Sequence, residues 1–290
     1  MSSRQALLVT GGSGYLGRHL AGKAAERYTL FTTYRTRADH VEAGTPLGLD
    51  VANREATLGL ITELQPDFII HTAALNPGQN SADMMRVNAH GSRHVAEAAV
   101  ATGARLVHLS TDVVHDGRQA PYEDDAPTAP LNEYGRSKAA AEAAVAEIDP
   151  TATIVRTSLI YGLEVIDRGT ENFVKRLQLG QPLVLFSDVI RQPIWIDSLG
   201  EALLKLLTID YRGWLNVVGA QALTREAFGQ RMLAWWQVDP GNLVQSGRAV
   251  DTSETIPLDL RLLTRRAEQL LDMKFPGVDE VLAAAATSPG

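Results

Sequence analysis

Apolar runs alternate with helical stripes along the first half of this chain. Ala6–Thr10 is a short apolar run that predicts a buried strand, and it leads directly into the glycine-rich stretch Gly11–Gly17. The pattern then predicts a helix from Tyr15 to Tyr28 and a strand over Leu30–Tyr34. A short strand over Pro46–Leu49 and a helix over Arg54–Leu64, stopped by Pro66, come next. Phe68–His71 predicts a strand, Ser81–Ala101 a long helix closed by Gly103, and Arg105–Ser110 a fifth strand. Tyr134–Glu147 is an alanine-rich helix stopped by Pro150, and Thr153–Arg156 is a sixth strand. Strands that are apolar throughout and separated by helices form parallel sheets covered on both faces. The expectation is an α/β fold: a doubly wound Rossmann sheet with a small C-terminal α/β lobe.

The alternation loosens after residue 115. Residues 116–132 are rich in Pro, Asp and Gly and predict a loop over the sheet edge. Beyond Arg156, helices and short strands mix without a repeat, and Ala283–Gly290 is expected to fray. We assign residues 1–160 mainly to a dinucleotide-binding domain. Residues 161–290 are assigned mainly to a substrate lobe, with some segments returning to the sheet.

Composition narrows the chemistry. The 290 residues contain no cysteine, which excludes disulfides, thiolate catalysis and Cys-ligated zinc. A net charge of −7 with both signs mixed throughout disfavours nucleic acid and anionic membranes as partners. No apolar run approaches the roughly 20 residues that span a bilayer, and Met1–Gln5 is too short and polar for a signal peptide. A cytoplasmic enzyme is the expectation.

Gly11, Gly14 and Gly17 stand three residues apart, between a strand and a helix. The first permits a tight turn, the second lets the backbone approach a diphosphate, and the third lets helix pack on sheet. The free amides of that helix start face phosphates, so Tyr15 and Leu16 join the cofactor-binding set. NAD sites place an acid at the end of the second strand for the ribose 2′-hydroxyl. Here Thr33-Tyr34-Arg35-Thr36-Arg37 has no carboxylate, and Arg35 and Arg37 suit a 2′-phosphate. NADP(H) is therefore expected over NAD(H). Asp50 and Val51 end the third strand, where Asp50 either meets the adenine amino group or caps the next helix.

Tyr134 and Lys138 are separated by one helical turn and share a face. A free phenol has a pKa near ~10. A nearby lysine ammonium, with an oxidised nicotinamide, favours the phenolate and lowers that value. Such a group exchanges a proton with a carbonyl oxygen while hydride moves at carbon.

These motifs together resemble an extended short-chain dehydrogenase/reductase, and among those the dTDP-4-dehydrorhamnose reductase group. The likeness covers nearly the whole chain. It rests on Thr10–Gly17, Asp50-Val51, His71–Ala74, Val87-Asn88, Ser110–Gly117, Pro130–Lys138, Arg156–Gly162 and Asn172–Val174, with a looser match at Pro257–Leu262. The resemblance implies that Thr111 polarises the substrate carbonyl beside Tyr134, and that Lys138 also bonds the nicotinamide ribose. It implies that Asp112, Asn172 and Arg191 meet the substrate, Arg191 as a candidate for a diphosphate. Ala73 and Ala74 would lie under the cofactor's ribose and phosphates, and Asn88 would brace the active-site helix. A sugar nucleotide is the implied substrate, and a homodimer through paired helices is frequent in the superfamily.

Three departures qualify the likeness. His115 replaces the group's aromatic before Asp116-Gly117. Val113 stands where related 4,6-dehydratases carry a glutamate, which argues against dehydration. Leu159 and Ile160 stand where an aromatic often packs on the sugar. Two other readings remain open: a reductase or epimerase of another small carbonyl compound, and a non-catalytic NADP-binding regulatory subunit. No metal is expected, because His71, His90, His94, His108 and His115 lack the spacing of a zinc site. Trp214, Trp235 and Trp236 are expected to pack in the core or lobe.

Overall fold

A computed structural model describes residues 4–253 and 255–287. The expectations for Met1–Ser3 and for the last three residues fall outside that range. Six strands come from the first half: β1 (Ala6–Thr10), β2 (Thr29–Tyr34), β3 (Thr45–Gly48), β4 (Phe68–His71), β5 (Arg105–Thr111) and β6 (Thr153–Thr157). The second half adds β7 (Ile160–Tyr161), β8 (Leu183–Phe186), β9 (Ile190–Arg191), β10 (Ile194–Trp195), β11 (Gly213–Asn216), β12 (Leu223–Thr224) and β13 (Val244–Gly247). Seven of these form one parallel sheet in the order β11-β6-β5-β4-β1-β2-β3. The order reverses between β1 and β4, and the crevice at such a point is where doubly wound sheets bind ligands.

Alternate residues of each strand enter opposite cores, as the pleat requires. On one face Leu7 and Val9 pack with α1 (Tyr15–Ala24), α7 (Ile196–Leu206) and α9 (Arg265–Leu271). On the other, Leu8, Ile69, Leu106 and Ile154 pack with α2 (Arg54–Leu64), α4 (Gly91–Thr102) and α5 (Glu133–Ile148). Three two-stranded sheets build the lobe: β10 with β7, β12 with β9 and β13 with β8. The helices α6 (Arg168–Gln178), α8 (Arg225–Trp235) and α10 (Val278–Thr287) complete it.

Two predicted helices differ in detail. α1 stops at Ala24, four residues early, because the amides of Arg27 and Tyr28 both turn back onto Ala24 O. Tyr28 then packs edge-on against Phe68, 5.8 Å between ring centres, as the chain enters β2. The predicted Ser81–Ala101 helix is interrupted: α3 (Ser81–Met84) runs into a π-helical segment, Met85–His90, before α4. π segments often mark functional positions. This one holds Asn88 fully buried, its Oδ1 accepting from Leu75 N at 2.7 Å and its Nδ2 donating to Leu75 O at 3.0 Å.

Candidate functional site

The loop after β1 makes a cradle. Gly11 has φ +75°, and a Cβ there would meet the Cα and N of Ala73 at 2.8 Å. Only glycine adopts that conformation cheaply and lets the Ala73 backbone approach so closely. Gly11 N donates to Thr33 Oγ1 at 3.2 Å and Gly12 N to Thr33 O at 2.7 Å, so β2 fixes the loop. α1 begins at the Gly14 cap with no side-chain acceptor on its first-turn amides and no acidic residue among them. Such a helix start attracts an anion.

A groove of about 410 Å³ opens above this cradle. Gly11, Gly14 and Tyr15 line it at the phosphate end, with Ala73 and Ala74. Arg35, Arg37, Asp50 and Val51 line it at the end of β2 and β3. Arg35 and Arg37 are exposed, and the Arg37 guanidinium meets His40 Nε2. Asp50 accepts from Ala52 N at 3.0 Å and pairs with Arg86 at 3.2 Å, and it does not cap the next helix: α2 is capped by Asn53, which accepts from Ala56 N at 3.1 Å. These features fit a dinucleotide phosphate, and the arginines fit a further phosphate.

Leu16 and Gly17 are not among the residues that line the groove. Leu16 is buried against the sheet, and a Cβ on Gly17 would lie 2.1 Å from Gly11 O. Both pack α1 closely onto the sheet and the glycine loop. Asn172 is exposed on α6 outside the groove, whereas its neighbour Glu171 lines it. Lining residues that sequence reasoning missed include Arg18, His40, Leu75, Asn76, Ile166 and Glu171, which no motif marks.

The reactive groups converge at the end of β5. Thr111 Oγ1 donates to Asp112 Oδ1 at 3.2 Å, and Ser158 Oγ donates to Asp112 Oδ2 at 2.6 Å. Arg191 Nε lies 3.7 Å from the same Asp112 oxygen, and both residues are buried. Burial pushes the Asp112 carboxyl up, and Arg191, Ser158 and Thr111 oppose that push. Arg191 is thus a buried partner of the site and not a surface charge.

Tyr134 and Lys138 project from α5, whose first turn is capped by Asn132 through Gly135 N at 2.8 Å. Between them, Ser137 Oγ accepts from Asn88 Nδ2 at 2.9 Å. Lys138 is buried, and its ammonium donates to Leu109 O at 2.7 Å. Burial lowers it to about 8, opposed by the Glu142 charge.

The expected acidification of Tyr134 is not found. Burial first, and then the Asp112 charge, push the phenol up to about 12, while a hydrogen bond with Thr111 pulls the other way. Lys138 is not among the groups acting on it, and its ammonium is committed to a carbonyl. Desolvation of the phenolate therefore prevails.

Glu142 follows on the same helical face, one turn beyond Lys138. It accepts from Ser110 Oγ at 2.5 Å, from Trp214 Nε1 at 2.9 Å and from Arg156 Nη2 at 2.8 Å, all below the reactive groups. The i, i+4, i+8 spacing of Tyr134, Lys138 and Glu142 is the sequence signal that could have found it.

His71 and His115 are held by neighbouring side chains of the fold. His71 meets Thr10 Oγ1 at 2.6 Å and Ser92 Oγ at 2.9 Å. His115 stacks on Tyr122 at 4.0 Å, taking the place of the expected aromatic. Among the described residues no three His, Asp or Glu side chains gather to hold a metal ion. No described helix is long and apolar enough to cross a membrane.

A larger cavity, about 840 Å³, lies across Tyr15 between α1, α7 and α10. Within its walls Arg18 pairs with Glu42 at 3.2 Å and Lys23 with Asp197 at 2.6 Å. Thr111, Asp112, Tyr134, Lys138 and Arg191 line neither this cavity nor the 410 Å³ groove, and it is the glycine loop that distinguishes the groove.

Residues 5–283 match the family described as RmlD substrate binding domain. The chain is 31% identical to the dTDP-4-keto-6-deoxy-D-glucose reductase of Streptomyces niveus, over 81% of this chain and 80% of that one. It is 27% identical to the dTDP-4-dehydrorhamnose reductase of Sinorhizobium fredii, over 94% of each. Its fold matches a dTDP-4-dehydrorhamnose reductase of Bacillus anthracis solved with NADP, with TM-score 0.81 and 24% identity over 97% of this chain and 98% of that one.

Proposed function

Because this chain belongs to the RmlD substrate binding domain family, we propose that it is an NADP(H)-dependent reductase acting on the keto group of a sugar nucleotide, with Tyr134 as proton donor. The observation that carries the reading is the meeting of Thr111, Asp112, Tyr134 and Lys138 at the carboxyl end of β5. The names of the two reductase relatives supply the substrate class.

When held in the groove, a nicotinamide cofactor would supply the hydride for the carbonyl carbon. This chain supplies the rest. Gly11, Gly14, Tyr15, Ala73 and Ala74 hold the diphosphate and ribose, and Arg35 and Arg37 take the 2′-phosphate. Thr111 Oγ1 orients the carbonyl oxygen. Tyr134 gives that oxygen its proton, and a phenol held neutral by burial is a donor at pH 7. Lys138, one of whose ammonium hydrogens goes to Leu109 O, has two more to offer the nicotinamide ribose. Asp112 and Arg191 face the substrate beyond Thr111.

The test is a titration of the protein with NADPH and NADH, followed by turnover on dTDP-4-keto-6-deoxy sugars read from NADPH absorbance. Tighter NADPH binding and turnover support the proposal. Cofactor binding without turnover of any ketone would favour a regulatory subunit instead.

A further inference from the structure

Arg191 lies in a small antiparallel ladder. In it Arg191 stands opposite Leu223, and Ile190 opposite Thr224. Arg225 extends the ladder by one step before α8 begins, its amide donating to Val189 O at 2.8 Å. Residues opposite one another on such a ladder share a face, and alternate residues return to it. Arg225 therefore lies on the same face as Arg191, one diagonal neighbour away.

The two arginines are satisfied unequally. Arg191 donates to Ile190 O at 3.0 Å and Pro257 O at 3.3 Å, and approaches Asp112. Arg225 is half-buried, yet its guanidinium has no hydrogen bond or ion pair among the described residues. The charged groups that act on it are Arg191, Asp112 and Asp167. Both carboxylates are already engaged. Asp112 accepts from Thr111 and Ser158. Asp167 caps α6, accepting from Gly169 N at 2.8 Å, Thr170 N at 3.1 Å and Thr170 Oγ1. A half-buried guanidinium beside a second one, with no acceptor of its own in the chain, is free to take an anion from outside it, and two adjacent positive charges favour one.

We propose that Arg225 is a substrate-binding residue whose guanidinium takes a phosphate oxygen of the nucleotide diphosphate beside Arg191. This rests on the sugar-nucleotide reading above and supplies its missing anchor. Asp112 adjoins Thr111, so the sugar occupies the space near Tyr134. The diphosphate follows at the two arginines, whose planar forks match its paired charges.

The experiment is calorimetric titration of the NADPH-saturated enzyme with thymidine 5′-diphosphate, uridine 5′-diphosphate and guanosine 5′-diphosphate. Arg225→Gln should weaken the preferred diphosphate by roughly 10- to 100-fold, the loss of charge-assisted hydrogen bonds. Arg225→Lys should recover part of that loss. NADPH affinity should not change, since Arg225 lies outside the cofactor groove, and this also reports that the variants are folded. Equal diphosphate affinity in wild type and Arg225→Gln would overturn the proposal and leave the reductase reading intact. A wild type that binds none of the three diphosphates would remove the sugar-nucleotide reading and this proposal with it.

Discussion

Asn88 Nδ2 donates to Ser137 Oγ at 2.9 Å, and this bond joins the π segment beside the cofactor groove to the helix that carries Tyr134 and Lys138. The same amide clamps Leu75 from both sides. One buried side chain thus sets the distance between the groove and the reactive groups. Asn88→Ala removes three hydrogen bonds and should destabilise the fold by about 2–4 kcal/mol. Urea melts read the loss. A change within about 0.5 kcal/mol would show that the clamp is dispensable.

Tyr134→Phe keeps the ring and deletes the proton. NADPH affinity should stay within about twofold, while kcat falls by roughly 10²- to 10⁴-fold, the usual worth of a positioned acid. Pre-steady-state NADPH consumption is the measurement, and undiminished turnover would remove Tyr134 from the reaction.

Replacing Arg35 and Arg37 together by alanine should weaken NADPH by roughly tenfold or more and leave NADH nearly unchanged. Both side chains are exposed, so stability should hold. An equal loss for both cofactors would place the arginines elsewhere than on a 2′-phosphate.

Acid should unfold this protein through its buried histidines. Burial lowers His71 to about 3 and His115 to about 4, and drives His108 well below its ordinary range. Below pH ~6.5 the unfolded chain takes up protons at these rings while the folded chain does not. Stability therefore falls as pH drops from about 6.5, by up to ~1.4 kcal/mol per unit for each ring. Neither nitrogen of His108 has a hydrogen-bond partner among the described residues. His108→Leu should then stabilise the fold at pH 7 by about 1–2 kcal/mol and make the acid limb shallower by one proton. Urea midpoints at pH 5 and pH 7 test both statements, and a loss of stability at pH 7 would mean the ring is held after all.

Six of the seven strands of the sheet were legible because each carries a short, mainly apolar run bounded by breakers, whereas β11 lies in the mixed second half and was not, and the glycine and Tyr-Lys spacings announced the two halves of the site. What was not legible depended on partners remote in sequence. The protonation of Tyr134 turned on its burial beside Asp112, which spacing along α5 does not encode. The π segment is likewise invisible, because Met85–His90 reads as ordinary helix until Asn88 is seen bonding Leu75 and Ser137. Arg225 belongs to no motif and gains meaning only when β12 is laid beside β9.

The central sheet borrows its last strand from far downstream. β11, at Gly213–Asn216, pairs with β6 from Gly213↔Thr153 to Asn216↔Arg156. During synthesis β6 therefore waits as a bare margin, its backbone edge unpaired, until more than fifty further residues have emerged. A fragment ending near residue 160 would keep that margin permanently open and should self-associate instead of folding as a free nucleotide-binding module.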